Sequence, residues 1–304
     1  MKYEALKWQV HDNPSRPGEK CIGVITLNRP EALNAVDVRM RVELDILCDE
    51  ILASNNVRAV IITGRGRGFS AGGDLKSEAD PLGAGEKDFD FGKFGSYKEL
   101  ASYFFNDLRH EVLQRAFRKF EDLPPVVIAA INGPAVGIGL EICTLCDIRY
   151  ASDKAKLGEV AVPAGFLPES GGARNLPKLV GIGRAMEMIM TGDIITAEEA
   201  EKIGLVDRVF PHDELMDGAF QLAAKIANNP YHSVRKAKEL VKHYWNQNRT
   251  DEGWQKELDA IKEITRTKDW QEGIRAFLEK RDPEFRGPYY DNWPFPDGTN
   301  KNES

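Results

Sequence analysis

Glu141 stands in the stretch Gly133-Pro-Ala-Val-Gly-Ile-Gly-Leu-Glu141-Ile-Cys-Thr-Leu-Cys146, which is apolar on nearly every side. Glycines 137 and 139 suit a tight passage from strand to helix, and the helix predicted after them has to be buried. A carboxylate carried into that setting is costly unless it is paired, protonated or used in chemistry. Glu141 is therefore either a satisfied structural acid or an acid–base group. The same helix start offers free backbone N–H groups able to stabilise developing negative charge.

Two further stretches carry candidates. In Gly68-Phe-Ser-Ala-Gly-Gly-Asp74-Leu75 the paired glycines let a ligand approach the backbone closely, although an ordinary turn would read the same way. Leu157-Gly-Glu159-Val-Ala161 and Gly165-Phe-Leu-Pro-Glu169-Ser-Gly-Gly172 add two acids, and Glu169 also suits the start of a helix with no further role. Other chemistries find no support. Cys143-x-x-Cys146 is a single pair in an apolar helix, and histidines 11, 110, 212, 232 and 243 have no ligand spacing, so no metal site is expected. There is no Gly-x-Ser-x-Gly elbow and no Gly-Lys-Ser/Thr phosphate loop, and Ile142 breaks a dinucleotide fingerprint at Gly137 and Gly139.

The elements that must hold these residues alternate. Cys21–Leu27, Arg58–Thr63 and Val126–Ile131 read as buried strands. Asn34 is expected to cap a helix with apolar positions Val36, Met40, Leu44, Leu47 and Ile51. Strands separated by helices predict an α/β fold with parallel pairing. Between Lys76 and Val126 a polar stretch precedes a helical one rich in aromatics: Tyr97, Tyr103, Phe104, Phe105, Phe117 and Phe120. These form either the core face of a surface helix or a wall over a pocket. Toward the C-terminus Thr196-Ala-Glu-Glu199 is a capping box and Gly204 a stop. Helices are then expected around Leu215–Ile226, from Pro230, around Trp254–Ile261 and over Trp270–Leu278, before a Pro- and Asn-rich tail.

The chain has 304 residues, 42% of them hydrophobic, enough for a real core, and a net charge of −7 that argues against nucleic acid or an anionic membrane as the main partner. No apolar run has the length of a membrane helix, Met1–Val10 lacks the layout of a signal peptide, and four cysteines make no disulfide framework, so a cytoplasmic location is expected.

Taken together, Phe69-Ser-Ala-Gly-Gly-Asp-Leu75, Ala130-Ile-Asn-Gly-Pro-Ala-Val-Gly-Ile-Gly-Leu-Glu141, Cys146-Asp-Ile and Thr191-Gly-Asp with Ala200-x-x-x-Gly-Leu-Val206 resemble the crotonase (enoyl-CoA hydratase/isomerase) family. Asn28-Arg-Pro-Glu-Ala-Leu-Asn-Ala35 and Glu272-Gly-Ile-Arg-Ala-Phe-Leu-Glu-Lys-Arg281 match as well, so the similarity runs over about residues 20–287. The resemblance implies an α/β crotonase-like spiral of ββα units over residues 1–205, with an extended 77–124 segment. It implies a helical oligomerisation region over 206–287, leaving 288–304 as an irregular tail, and a homotrimer or a hexamer built as a dimer of trimers. The substrate implied is an acyl-CoA thioester, with coenzyme A entering as part of the substrate and no further cofactor required. By position, the backbone N–H groups of Gly73 and Ile138 would hold the thioester carbonyl. Coenzyme A would lie along Ala32, Leu33 and Ala35 and along Ser70, Gly72, Gly73, Asp74 and Leu75, with Arg29 and a neighbouring subunit's Lys280/Arg281 region as phosphate contacts.

The chain departs from the family at one point. Glu141 matches the first of the two glutamates that position water in the family's hydratases, but the second falls on Ala161. Glu159 and Glu169 are available instead, and the expectation is that Glu141 and Glu169 form the carboxylate pair, moving a proton at the α or γ carbon. Hydration or isomerisation of an unsaturated acyl-CoA follows. The alternatives are an acyl-CoA hydrolase of the same fold, or a relative that only binds acyl-CoA or RNA.

Overall fold

A computed structural model describes residues 3–54, 56–76, 109–229, 231–245 and 268–281. Strand β1 (Leu6–Asn13) turns back into β2 (Arg16–Leu27) as an antiparallel pair. Parallel neighbours β3 (Ala59–Gly64), β4 (Val126–Ile131), β6 (Ile148–Ser152) and β9 (Arg208–Phe210) extend it into a sheet of order β1-β2-β3-β4-β6-β9. A second, small sheet joins β5 (Ala135–Val136), β7 (Lys156–Gly158) and β8 (Ile194–Thr196).

The central strands β3 and β4 are almost wholly apolar, with Thr63 the one polar side chain, because both faces are covered. Val60, Ile62, Val127, Ala129 and Ile131 pack into one core with helices α1 (Val38–Ala53), α2 (Arg109–Glu121) and α3 (Ile138–Leu145). Ala59, Ile61, Ile128 and Ala130 face the other way, onto Leu215, Ala219 and Ala223 of helix α7 (Leu215–Ala227). Those three lie four residues apart, one apolar stripe of a helix. Helices α4 (Gly172–Val180), α5 (Ile182–Thr191) and α6 (Ala197–Lys202) precede it, and α8 (Tyr231–Trp245) and α9 (Lys268–Glu279) follow.

Several expectations shift. The cap of α1 is Asp37, whose carboxylate accepts from the Met40 N–H at 2.8 Å, whereas Asn34 sits in a left-handed turn (φ 57°) before it. β9 and α7 lie beyond residue 205 yet complete the main sheet and its second face. Strand β1 is half-exposed and alternates imperfectly, so its pattern does not announce a strand. Phe117 and Phe120 are core residues on α2. Tyr97, Tyr103, Phe104 and Phe105, the Trp254–Ile261 helix and the 288–304 tail lie outside the described residues. Thr196 accepts from the Glu199 N–H at 3.2 Å and Gly204 ends α6 in a left-handed turn (φ 79°), as expected.

Candidate active site

Two loops run side by side at the C-terminal ends of β2 and β3, because four backbone and side-chain links fasten them. Ala71 N–H donates to Leu33 O at 3.0 Å, Val36 N–H to Gly72 O at 2.8 Å and Asp74 N–H to Val36 O at 3.0 Å. Buried Asn34 donates to Gly68 O at 2.9 Å. This strip brings Ala32, Leu33, Ala35, Ser70, Gly72, Gly73, Asp74 and Leu75 together, the residues expected along coenzyme A. The side chains of Ser70 and Arg29 serve the strip itself. Ser70 is buried and donates to Asn34 O at 2.9 Å. Arg29 donates to Ala35 O at 2.6 Å and pairs with Asp74 at 2.8 Å and Asp37 at 3.2 Å, so its guanidinium clamps the two loops together. Arg281 is likewise paired, with Glu272 and Glu279. Leu75 keeps part of its surface open.

The start of α3 packs against this strip. A β-carbon on Gly72 (φ 93°) would lie 2.9 Å from the Val136 carbonyl oxygen and 3.8 Å from the Ile138 nitrogen, a fit open only to glycine. A β-carbon on Gly73 would meet the Ile138 side chain at 3.3 Å. Most backbone donors of the strip are committed, and those of the first turn of α3 are open. The N–H groups of Ala71, Gly72 and Asp74 are used, as are those of Gly137 (to Gly158 O, 3.0 Å) and Glu141 (to Gly137 O, 2.9 Å). Those of Gly73 and Ile138 find no protein acceptor among the described residues, and neither do those of Gly139 and Leu140, the next two of the same helix start. Gly73 bridges Val36 in parallel fashion through its neighbours' groups, which turns its own N–H away from Val36. Ile138 opens a helix, where a backbone donor has no intrahelical partner.

One turn further along α3, Glu141 is 1% exposed. Its carboxylate accepts from the N–H groups of Ser170 at 2.6 Å, Gly172 at 2.9 Å and Glu169 at 3.3 Å, acting as the cap of α4 from across the fold. A side chain at 172 would collide with it, a β-carbon there lying 2.8 Å from Glu141 Cγ. Burial first, then the charge of Glu159, push the Glu141 carboxyl well above its ordinary range, against the lowering effect of the Gly172 and Ser170 N–H bonds.

Glu159 and Glu169 both come into this neighbourhood, with opposite surroundings. Glu169 is paired with buried Arg41 at 2.9 Å, and Arg41 itself lies over the Phe117 ring at 5.9 Å. Glu159 is 1% exposed and neither of its oxygens has a hydrogen-bond partner among the described residues. Burial pushes its carboxyl up to about 7, with the charge of Glu169 adding to the rise and the nearby Ala161 N–H, outside bonding geometry, offsetting only part of it. The expected pair of Glu141 and Glu169 is thus a cluster of three acids in which Glu169 is the one already neutralised. Arg41 was not singled out from the sequence. The available signal was a cation one residue after Met40 on a helix with a buried stripe. Among the described residues no group of three or more His, Cys, Asp or Glu side chains could hold a metal, and no helix is long and apolar enough to cross a membrane.

Such a site can fix a carbonyl oxygen on two backbone donors and present acids to the carbons beside it. Comparison with known proteins shows the family. Residues 18–288 match the family described as enoyl-CoA hydratase/isomerase. The short-chain-enoyl-CoA hydratase of Clostridium acetobutylicum is 37% identical over 263 residues, 86% of this chain and 92% of that protein. The 2,3-dehydroadipyl-CoA hydratase of Escherichia coli is 33% identical over 266 residues, covering 87% and 94%. The crystal structure of enoyl-CoA hydratase/isomerase from Pseudoalteromonas atlantica superposes with a TM-score of 0.76 at 26% identity, covering 93% of this chain and 100% of that one.

Proposed function

The chain belongs to the enoyl-CoA hydratase/isomerase family, and we propose that its Gly73 and Ile138 N–H groups hold the thioester oxygen of an acyl-CoA while Glu141 moves a proton at the neighbouring carbons. It is an acyl-CoA enzyme of the hydratase/isomerase type with the crotonase fold. The single observation that carries the residue reading is the unused amide of Gly73 packed against the open first turn of α3 that begins at Ile138, with the buried carboxylate of Glu141, its pKa raised, one turn further along.

The chemistry follows from charge. Adding water across a conjugated double bond, or removing an α or γ proton, sends electrons onto the thioester oxygen. Two fixed N–H donors stabilise that oxyanion, and loss of one such donor costs about 10²–10³ in rate. A carboxyl with a raised pKa is suited to take the proton and return it near neutral pH. The strip formed by 32–35 and 70–75 supports coenzyme A along it, with Arg29 holding the two loops in register.

Assembly as a homotrimer, or a dimer of trimers, is supported by exposed apolar side chains: Ile182, Met186 and Met190 on α5, and Leu240 and Val241 on α8. A cytoplasmic location is supported by cysteines 21, 48, 143 and 146, all free and buried. Light scattering of the purified chain tests the first. For the reaction, a panel of linear, cyclic and aromatic enoyl-CoA thioesters, with mass and NMR analysis of products, identifies the acyl group. Glu141→Gln is expected to abolish turnover and leave thioester affinity within a few-fold; retained turnover removes Glu141 from the chemistry.

A further inference from the structure

Ala161 cannot hold or deprotonate water, so this chain needs a second acid from elsewhere if Glu141 does not act alone. Resting on the reading above, we propose that Glu159 supplies that second acid–base carboxylate, in place of Ala161 and of Glu169.

The geometry separates the two candidates. Glu169 has Arg41 at 2.9 Å and a backbone carbonyl that accepts from Gln114, so it is held in a fixed ion pair. Glu159 follows the last residue of β7. That residue, Gly158, pairs with Val136, and its carbonyl accepts from Gly137 N–H at 3.0 Å, immediately before Ile138. The chain thus sets Glu159 beside the start of α3, near enough for its charge to act on Glu141. The residue is 1% exposed and both carboxylate oxygens lack a partner among the described residues. A buried carboxylate with nothing bound to either oxygen is destabilised in its charged form, and a protein retains one where the missing partner is a substrate atom or a reacting water. Glu141 and Glu159 are not hydrogen-bonded to each other either, since both oxygens of Glu159 are open. A proton passes between them by way of a bound molecule.

The proton count then closes within the pair. In isomerisation the ionised member removes a proton from one carbon, the C–H electrons move through the chain onto the thioester oxygen, and the protonated member delivers its proton to the other carbon as the electrons return. In hydration the ionised member takes a proton from water as the C–O bond forms at the β carbon, and the protonated member supplies the α carbon. Water is the only co-reactant. Either way the two acids exchange states, and a proton relayed through bound water from the newly protonated member to the newly ionised one restores them.

The test uses the full-length protein and the enoyl-CoA thioester from the panel that wild type turns over fastest. Glu159→Gln is expected to lower kcat by about 100-fold or more with KM nearly unchanged, and to remove one ionisation limb from the kcat/KM–pH profile. Glu159→Asp is expected to regain part of kcat and the limb. If Glu159→Gln does not fold, Glu159→Asp decides alone, and a wild-type kcat with an unmoved pH profile overturns the proposal. A Glu159→Gln enzyme within about threefold of wild type, beside an inactive Glu141→Gln, overturns Glu159 and leaves the functional reading standing. Full activity in Glu141→Gln, or no turnover of any thioester by wild type, removes that reading and this proposal with it.

Discussion

Arg41 Nη2 meets Glu169 Oε1 at 2.9 Å across 128 positions of sequence, and Glu169 opens the loop whose amides grip Glu141. The pair ties α1 to the segment that fixes the acid of α3. It also neutralises one member of a three-carboxylate cluster that would otherwise repel itself.

Arg41→Met is therefore expected to act twice. Removing one partner of a buried pair costs about 3–5 kcal/mol of stability, read by denaturant titration. Loss of the cation leaves Glu169 facing Glu141 and Glu159 unopposed, so the acidic limb of the kcat/KM profile moves to higher pH. Arg41→Lys keeps the charge and is expected to restore the limb toward its wild-type position. An unchanged profile in both variants would reduce the pair to scaffolding.

Glu159 gives the protein a pH-dependent stability with a definite sign. Its folded pKa of about 7 lies above the ordinary 4.5, so between those values the folded state holds more protons than the unfolded one. Stability contributed at this site is intact below about pH 4.5 and declines as pH rises through about 7. The groups facing it are Glu141 and Glu169, the latter held by Arg41. Glu159→Gln removes the penalty, so it is expected to stabilise the protein at pH 8 by up to about 3 kcal/mol and to change little at pH 5. Thermal melts at the two pH values check this. Destabilisation at pH 8 would mean that Glu159 has a protein partner holding its charge.

Gly72→Ala tests the seat of the first amide. Its φ of 93° and the 2.9 Å approach to Val136 O both oppose a side chain. A cost of about 1–3 kcal/mol is expected from strain, with a fall in kcat/KM as Gly73 N–H is displaced. Gly18→Ala has a similar φ of 91° and nothing within 4 Å, so it should lose stability and keep kcat/KM. Equal kinetics in the two variants would detach this loop from the chemistry.

Much of this was legible in the chain because single segments carried it. An apolar helix on all sides announces a buried Glu141, and β3 and β4 read as doubly covered strands because they are. Relations between distant segments were not legible. Asn34 and Asp37 are both good caps, and only the left-handed turn at 33–34 decides between them. Strands β5 and β7, of two and three residues, are too short for a periodicity to register, yet their pairing is what brings Glu159 to the head of α3. The choice between Glu159 and Glu169 depended on Arg41, an arginine that spacing alone could not connect to either.

The most direct measurement is a crystal structure of the protein with a bound CoA thioester or its enolate-like analogue. The carbonyl oxygen is expected within about 2.7–3.1 Å of both the Gly73 and Ile138 nitrogens, with the reacting carbons facing Glu141 and Glu159. A thioester oxygen bound elsewhere, with those two amides contacting no part of the ligand, would contradict the account.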